Sequence, residues 1–314
     1  MHPFWGGAGA GLAAGIGLAV LWFRRRREQR LLKPLREMVR VARALAGGDL
    51  YPRFPKEGRP ELQELAEALN ATAATLEAKL TELGRLERVR IDFVANVSHE
   101  LRTPLTSIKG FVETLRDGAL KDPETAGRFL EIIRKHTDRI IAIVDDLLTL
   151  SHLEGSGPSL NLAEMDLAEL AEEVAEGFRR RCEEKTLSLR LELKRPARLR
   201  GDRDRLAQVF TNLLDNAVKY TPEGGSVSLS LAPEGEGWRI QVADTGIGIP
   251  VEHLPRIFER FYRVDKARSR EMGGTGLGLS IVKHIVQAHG GSIDASNPPG
   301  RGTLFTVRLP ATRS

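Results

Sequence analysis

His99 is followed by Glu100, Leu101, Arg102, Thr103 and Pro104, within a stretch (93–110) that reads FVANVSHELRTPLTSIKG. In a helix, Phe93, Val97 and Leu101 recur at i, i+4 and form one apolar stripe. His99 falls off that stripe, so its imidazole points outward, and Thr103 lies one turn further on the same face. Pro104 lacks a backbone N–H and should bend or loosen the helix just below them. A neutral ring nitrogen is nucleophilic near neutral pH, and a carboxylate stands beside it. The competing reading is a surface histidine on an amphipathic helix, and the rest of the chain decides between the two.

Four further motifs could hold a phosphorylated ligand. Asn212 and Asn216 sit one turn apart on one helix face, where an amide oxygen can complete a Mg²⁺ shell rich in water and phosphate. Lys219 can meet phosphate as a point charge, and Tyr220 follows it. Asp244, Gly246 and Gly248 come after a strand. A carboxylate there can accept from an exocyclic amine while the backbone closes around a base; a tight turn is the plainer reading. Phe258, Arg260, Phe261, Tyr262 and Arg263 supply aromatics to anchor a lid and arginines to reach phosphate. Gly273, Gly274, Thr275, Gly276, Leu277 and Gly278 lead into a helix over 280–288, whose N-terminal N–H groups face an anion. No Lys-Ser/Thr pair follows these glycines, so the pattern is not a Walker loop.

The elements that position these residues fall into segments. The spacing predicts a helix over 31–45, stopped at Gly47, Gly48 and Asp49, a connector over 50–60 with Pro52, Pro55 and Pro60, and a second helix from Glu61. That helix runs into the His99 stretch and on to about Arg116. Asp117 and Gly118 suggest a turn, and Asp122 with Pro123 starts the next helix. There Phe129, Ile133, His136, Ile140, Ile143, Leu147 and Leu150 alternate by four and three, a heptad seam. Two such helices make a hairpin, and two hairpins make a four-helix bundle that buries both stripes, so a homodimer is expected. Gly155, Gly157 and Pro158 mark a domain boundary. Beyond them helices are predicted over 166–181 and 202–220 and strands over 187–193, 227–231, 238–243 and 304–309, an α/β sandwich pattern.

Residues 3–23 carry no charge, a length near the about 20 residues that span a bilayer, with Trp5 and Trp22 near the ends and Arg24, Arg25, Arg26 and Arg27 directly after. A single-pass transmembrane helix with a cytoplasmic catalytic part is expected from the positive-inside rule. Only Met1 and His2 precede it, so either no extracellular sensing domain is encoded or an upstream segment is missing. Net charge is +5, but aromatics are 5% and none interleave with the basic runs, so no nucleic-acid partner is expected. Cys182 is the only cysteine, which excludes intramolecular disulfides and cysteine metal sites.

Taken together, SHELRTPL, NLLDNAVKY, DTGIGIP, FERFYR and GTGLGL resemble the H, N, G1, F and G2 boxes of bacterial two-component sensor histidine kinases. Pro34, the Gly48-Asp49-Leu50 break, and Glu61 with Leu62 and Leu65 resemble a HAMP linker. The string FVANVSHELRTPLTSIKGFVETL is most similar to the phosphate-regulon (PhoR-type) kinases. The resemblance implies a multidomain membrane protein. It comprises a transmembrane helix (1–23), a helical HAMP-like linker (24–80), a dimeric antiparallel four-helix dimerisation and histidine phosphotransfer bundle (81–156), and an α/β-sandwich ATP-binding domain of the Bergerat or GHKL fold (157–314). It implies an inner-membrane ATP-dependent protein-histidine kinase that phosphorylates His99 and passes the group to an aspartate of a response regulator, with phosphatase activity too. Glu100 would take the histidine proton and Thr103 would orient water in the reverse reaction. Asn216 would hold Mg²⁺, with Asn212 second. Lys219 and Arg263 would neutralise phosphate, Tyr220 would pack near adenine, and Asp244 would read its amine beside Gly246 and Gly248. Gly274, Thr275, Gly276, Leu277 and Gly278 would form the lid. The alternatives are a GHKL-type ATPase without phosphohistidine and a phosphatase-dominant regulator.

Overall fold

The computed structural model describes residues 7–57, 59–154, 160–265, 274–298, 300 and 302–310. Two compact units divide between Asp92 and Phe93. The expected linker at Gly155, Gly157 and Pro158 lies outside the described residues, as do Trp5 and Gly273.

The first unit holds α1 (Gly7–Arg27), a π-helical turn (Glu28–Leu32), α2 (Lys33–Ala46) and the start of α3 (Pro60–Arg116). Among the described residues no helix is long and apolar enough to cross a membrane. Residues 1–6 of the expected span are outside them; α1 is rich in Gly and Ala and ends on four arginines. Its Ile16, Leu18, Val20, Leu21, Trp22 and Phe23 are exposed. A small core of Met38, Val41, Phe54 and Ala66 joins α2 to the connector and α3. Asn70 fixes the connector by accepting from the Phe54 N–H (2.8 Å) and donating to its C=O (2.9 Å).

The second unit begins with a helical hairpin, the end of α3 and α4 (Pro123–Glu154). α3 carries Pro104 inside a helix that continues to Arg116. The Ser98, Thr103, Thr106 and Ser107 hydroxyls donate to carbonyls four residues back, a pattern that favours gentle bending. No residue of the predicted α4 seam is exposed, and Phe111 meets Phe129 with ring centroids 5.1 Å apart. The seam therefore closes the hairpin on itself. A second stripe stays open: Leu105 and Val112 on α3, and Leu130, Ile141, Val144 and Leu148 on α4.

The α/β domain carries a five-stranded sheet in the order β2-β4-β5-β7-β6, formed by β2 (Ser188–Leu193), β4 (Ser226–Glu234), β5 (Gly237–Asp244), β6 (Ser292–Ser296) and β7 (Leu304–Pro310). Only β2 and β4 pair in parallel. β1 (Ala163–Asp166) and β3 (Arg198–Gly201) form a small separate sheet. Val227, Leu229, Leu231, Ile240, Val242, Phe305, Val307 and Leu309 alternate inward onto α7 (Arg203–Tyr220) and α8 (Gly278–Ala288). The helix expected over 166–181 is instead a strand end, α5 (Leu167–Glu176) and α6 (Arg179–Glu184). Asp166 caps α5 by accepting from the Ala168 N–H, and the turn at Gly177 aims both Phe178 and Cys182 into the core. Asp202 caps α7, and the buried His289 accepts from the Asp202 N–H (3.0 Å), tying the start of α7 to the end of α8.

Candidate functional site

His99 is exposed on α3, as its place off the apolar stripe requires. The Thr103 hydroxyl donates back to the His99 carbonyl at 3.2 Å. Glu100 turns inward, and its Oε2 accepts from Arg139 of α4 (2.9 Å) and from Arg263 of the α/β domain (3.2 Å). Their side chains are only 14%, 13% and 5% exposed. His99 is thus brought to the α/β domain through its neighbour.

α7 presents Asn212, Asn216, Lys219 and Tyr220 at half-buried positions. The Asn212 amide nitrogen is buried without a hydrogen-bond partner among the described residues. Lys219 lies 3.8 Å from Asp215, which also accepts from Arg181 at 2.9 Å. Burial holds the Lys219 ammonium below the usual lysine range; Asp215 opposes this, while Arg181, Arg263 and Arg139 add to it. Lys185 donates to the carbonyls of Val218 and Thr221 (both 2.8 Å), placing its charge at the C-terminal end of α7.

At the end of β5 the Asp244 carboxylate is buried and accepts from the N–H groups of Gly246 (2.7 Å) and Thr303 (3.3 Å). Burial pushes its pKa up, against those hydrogen bonds. Gly246 passes so close to the end of α7 that a Cβ there would stand 2.5 Å from the Tyr220 carbonyl oxygen. Asn297 clasps the Ile249 backbone next to Gly248.

The glycine-rich segment meets both modules. The Gly274 carbonyl accepts from Arg263, and the Thr275 hydroxyl donates to Asp146 of α4 at 2.8 Å. Burial raises the Asp146 pKa, opposed by that bond. The Gly276 carbonyl accepts from the N–H of Phe261 (2.8 Å), whose φ of 60° is left-handed. The Phe261 ring stands 5.8 Å from that of Phe93, and the Arg260 guanidinium lies over Phe93 at 5.2 Å. Leu277 is fully buried, so its side chain belongs to the core and only its backbone faces a ligand. Gly278 opens α8 against the Asn212 side chain.

These residues fit a nucleotide with Mg²⁺. Asn212 keeps an unsatisfied buried donor among the described residues, Gly246 lets the backbone after Asp244 pass close to the end of α7, and Asp244 offers a desolvated acceptor. Among the described residues no three His, Cys, Asp or Glu form a metal cage. A single amide such as Asn216 beside phosphate and water is the kind of shell Mg²⁺ takes.

Sequence reasoning missed Arg139 and Asp146, which stand seven positions apart and so share a face of α4. It also missed Lys185, Thr303 and Gly302. A Cβ at Gly302 would fall 1.8 Å from the Asp244 carbonyl oxygen, and its φ is 103°. The heptad register could have flagged Arg139 and Asp146 as seam-flanking charges; nothing in the local pattern marks the other three.

A histidine-bearing hairpin whose Glu100 and Asp146 meet Arg263 and the glycine-rich segment of an α/β sandwich points to a class of phosphoryl-handling protein. Three family models match: the HAMP domain over residues 29–78, the His Kinase A (phospho-acceptor) domain over 89–156, and the histidine kinase-, DNA gyrase B- and HSP90-like ATPase over 201–313. The sensor histidine kinase WalK of Bacillus subtilis is 42% identical over 233 residues, 74% of this chain and 38% of WalK. The signal transduction histidine-protein kinase BaeS of Escherichia coli is 38% identical over 284 residues, 90% of this chain and 58% of BaeS. Histidine kinase ThkA, solved in complex with response regulator protein TrrA, is 30% identical with a TM-score of 0.61, over 76% of this chain and 67% of ThkA. The chain spans 38% to 58% of the length of these curated relatives. It belongs to the sensor histidine kinase family.

Proposed function

We propose that this chain is an ATP-dependent protein-histidine kinase that phosphorylates His99 and passes the group to an aspartate of a response regulator, with a phosphatase activity on that regulator. The observation that carries the reading is the contact of Glu100, next to His99, with Arg263 of the nucleotide-binding domain. A ring nitrogen of His99 attacks the γ-phosphoryl group of ATP, the bond to the leaving oxygen of ADP breaks, and Glu100 takes the ring proton. Lys219 and Arg263 neutralise phosphate charge, Asp244 accepts from the adenine amine with Gly246 and Gly248 making room, and Tyr220 packs beside the base. Asn216, with Asn212 second, would hold Mg²⁺, which would supply positive charge against the phosphates. Gly274, Thr275, Gly276, Leu277 and Gly278 close over the phosphates with backbone N–H groups. Thr103 orients water for the reverse reaction.

The proposed domain division is an anchor (1–23), a HAMP-like linker (24–80), a dimerisation and phosphotransfer bundle (81–156) and a catalytic domain (157–314). The uncharged sequence, the exposed apolar side chains of α1 and the arginines after them support insertion of residues 3–23 in the inner membrane, with the catalytic part cytoplasmic. The open second stripe of the hairpin supports a homodimer.

The full chain, incubated with ATP labelled at the γ-position and Mg²⁺, should acquire an acid-labile, base-stable label. His99→Gln should abolish it while nucleotide binding persists. Label that survives this change overturns the assignment, and ATP turnover without label returns the chain to the plain ATPase reading.

A further inference from the structure

The Glu100 carboxylate is held by two guanidinium groups that differ in what they belong to. Both bonds fall on Oε2, and Oε1 carries none among the described residues. Arg263 is part of the α/β domain and also donates to the Gly274 carbonyl. Once a phosphate group is bound beside Arg263, that guanidinium has a doubly charged partner that fits its fork better than one shared carboxylate oxygen. Arg139 is different. It stands across the hairpin from Glu100, 39 positions along the chain, so both ends of this pair ride on the same two helices. It is flanked on α4 by the half-buried Ile140 and, one turn on, by the buried Ile143, which fix the helix face from which it reaches. Little water reaches the pair, so its attraction is screened less than that of a surface ion pair.

We infer that Arg139 is a positioning residue of the phosphoryl transfer: it pins Oε2 of Glu100 so that Oε1 is presented to the His99 ring while Arg263 turns to phosphate. The inference rests on the phosphohistidine reading above. In the step it serves, the lone pair of one ring nitrogen forms the N–P bond, and the P–O bond to ADP breaks with its electrons leaving on ADP. The proton on the ring's other nitrogen passes to Oε1. A carboxylate held by one oxygen offers the other in a fixed direction, and small losses of such alignment lower rates steeply. Arg139 touches neither histidine nor nucleotide in this role; its effect passes through Glu100. A plain hairpin staple would instead support folding and dimerisation without touching the rate of the chemical step.

The test measures label formation by the full chain across ATP concentrations and, separately, the affinity for a non-hydrolysable ATP analogue and the oligomeric mass. Arg139→Gln should lower the rate at saturating ATP by on the order of tenfold to a hundredfold. The ATP KM, analogue affinity and mass should stay within about twofold, the range expected when no ligand contact is lost. Arg139→Lys, which keeps one charged donor, should recover part of the rate. In the Glu100→Gln background, Arg139→Gln should lower the rate no further, because the two act as one unit. An unchanged rate in Arg139→Gln overturns the inference. So does a loss equal in the Lys variant with altered mass or KM, or a loss that persists in full in the Glu100→Gln background. Label that survives His99→Gln overturns the kinase reading itself, a separate and recognisable failure.

Discussion

The hairpin and the sandwich bury apolar surface in opposite ways. In the sandwich, Leu206, Phe210 and Leu214 of α7 are fully buried against a sheet whose inward side chains are closed off as completely. In the hairpin, one stripe is covered by the partner helix, while Leu105, Ile141 and Leu148 of the other remain more than half exposed. The sandwich is a finished core, and the hairpin is half of one. The glycine-rich segments and α7 sit on the finished part and His99 on the unfinished part, so assembly of the hairpin can change the surroundings of His99 without disturbing the sandwich core.

The contrast breaks most directly from the sandwich side. Phe210→Ala should lower the stability of the α/β domain by about 3–5 kcal/mol, read as an early melting transition; an unmoved transition would mean that this core is not closed. From the hairpin side, Ile141→Glu with Leu148→Glu removes about 1.5–3 kcal/mol of apolar burial for each side chain. The expected result is halved mass and weak labelling, with nucleotide affinity and the sandwich transition retained. A dimer of full activity would refute the half-core reading. Changes at Ile140 or Leu147 are less informative, since these close the hairpin on itself and would unfold it.

A smaller effect sharpens the pocket. Asp244→Asn keeps the shape but loses the charged acceptor, and analogue affinity should fall on the order of tenfold, about 1.4 kcal/mol. Label formation at saturating ATP should fall much less. The smallest effect is in pH. Because burial lowers the Lys219 pKa, its positive charge is lost at lower pH than that of an ordinary lysine. Analogue affinity should therefore begin to fall on the alkaline side before the usual lysine range, about pH 10.4, and Lys219→Arg should flatten that limb. On the acid side the raised Asp244 pKa predicts the mirror image, with affinity falling from above the usual carboxylate range of about 4.

Much of the molecule was legible because periodicity reports burial directly. The seam from Phe129 to Leu150, the α7 stripe and the alternation in β4, β5 and β7 all follow from it. The two short helices on either side of Gly177 merged into one expected helix because their apolar residues keep a helical rhythm across the turn. β1, β3 and β6 are too short for alternation to speak. In the site, residue types with unusual chemistry announced themselves: His99, Asp244 and the glycines. Arg139, Asp146 and Lys185 did not, since their roles come from partners 39, 129 and 33 positions away, and a charge on an amphipathic helix looks the same whether it meets water or another element.

Phe261 bears on how such a protein can be improved. A left-handed backbone in a bulky residue stores roughly 1–2 kcal/mol that glycine would release. Glycine would also give up the ring, which packs on the core and meets Phe93, and losing a packed Phe costs about 3–5 kcal/mol, so the strained phenylalanine is the more stable choice. A directed-evolution campaign for heat resistance would therefore leave this codon alone and find its gains elsewhere in the chain.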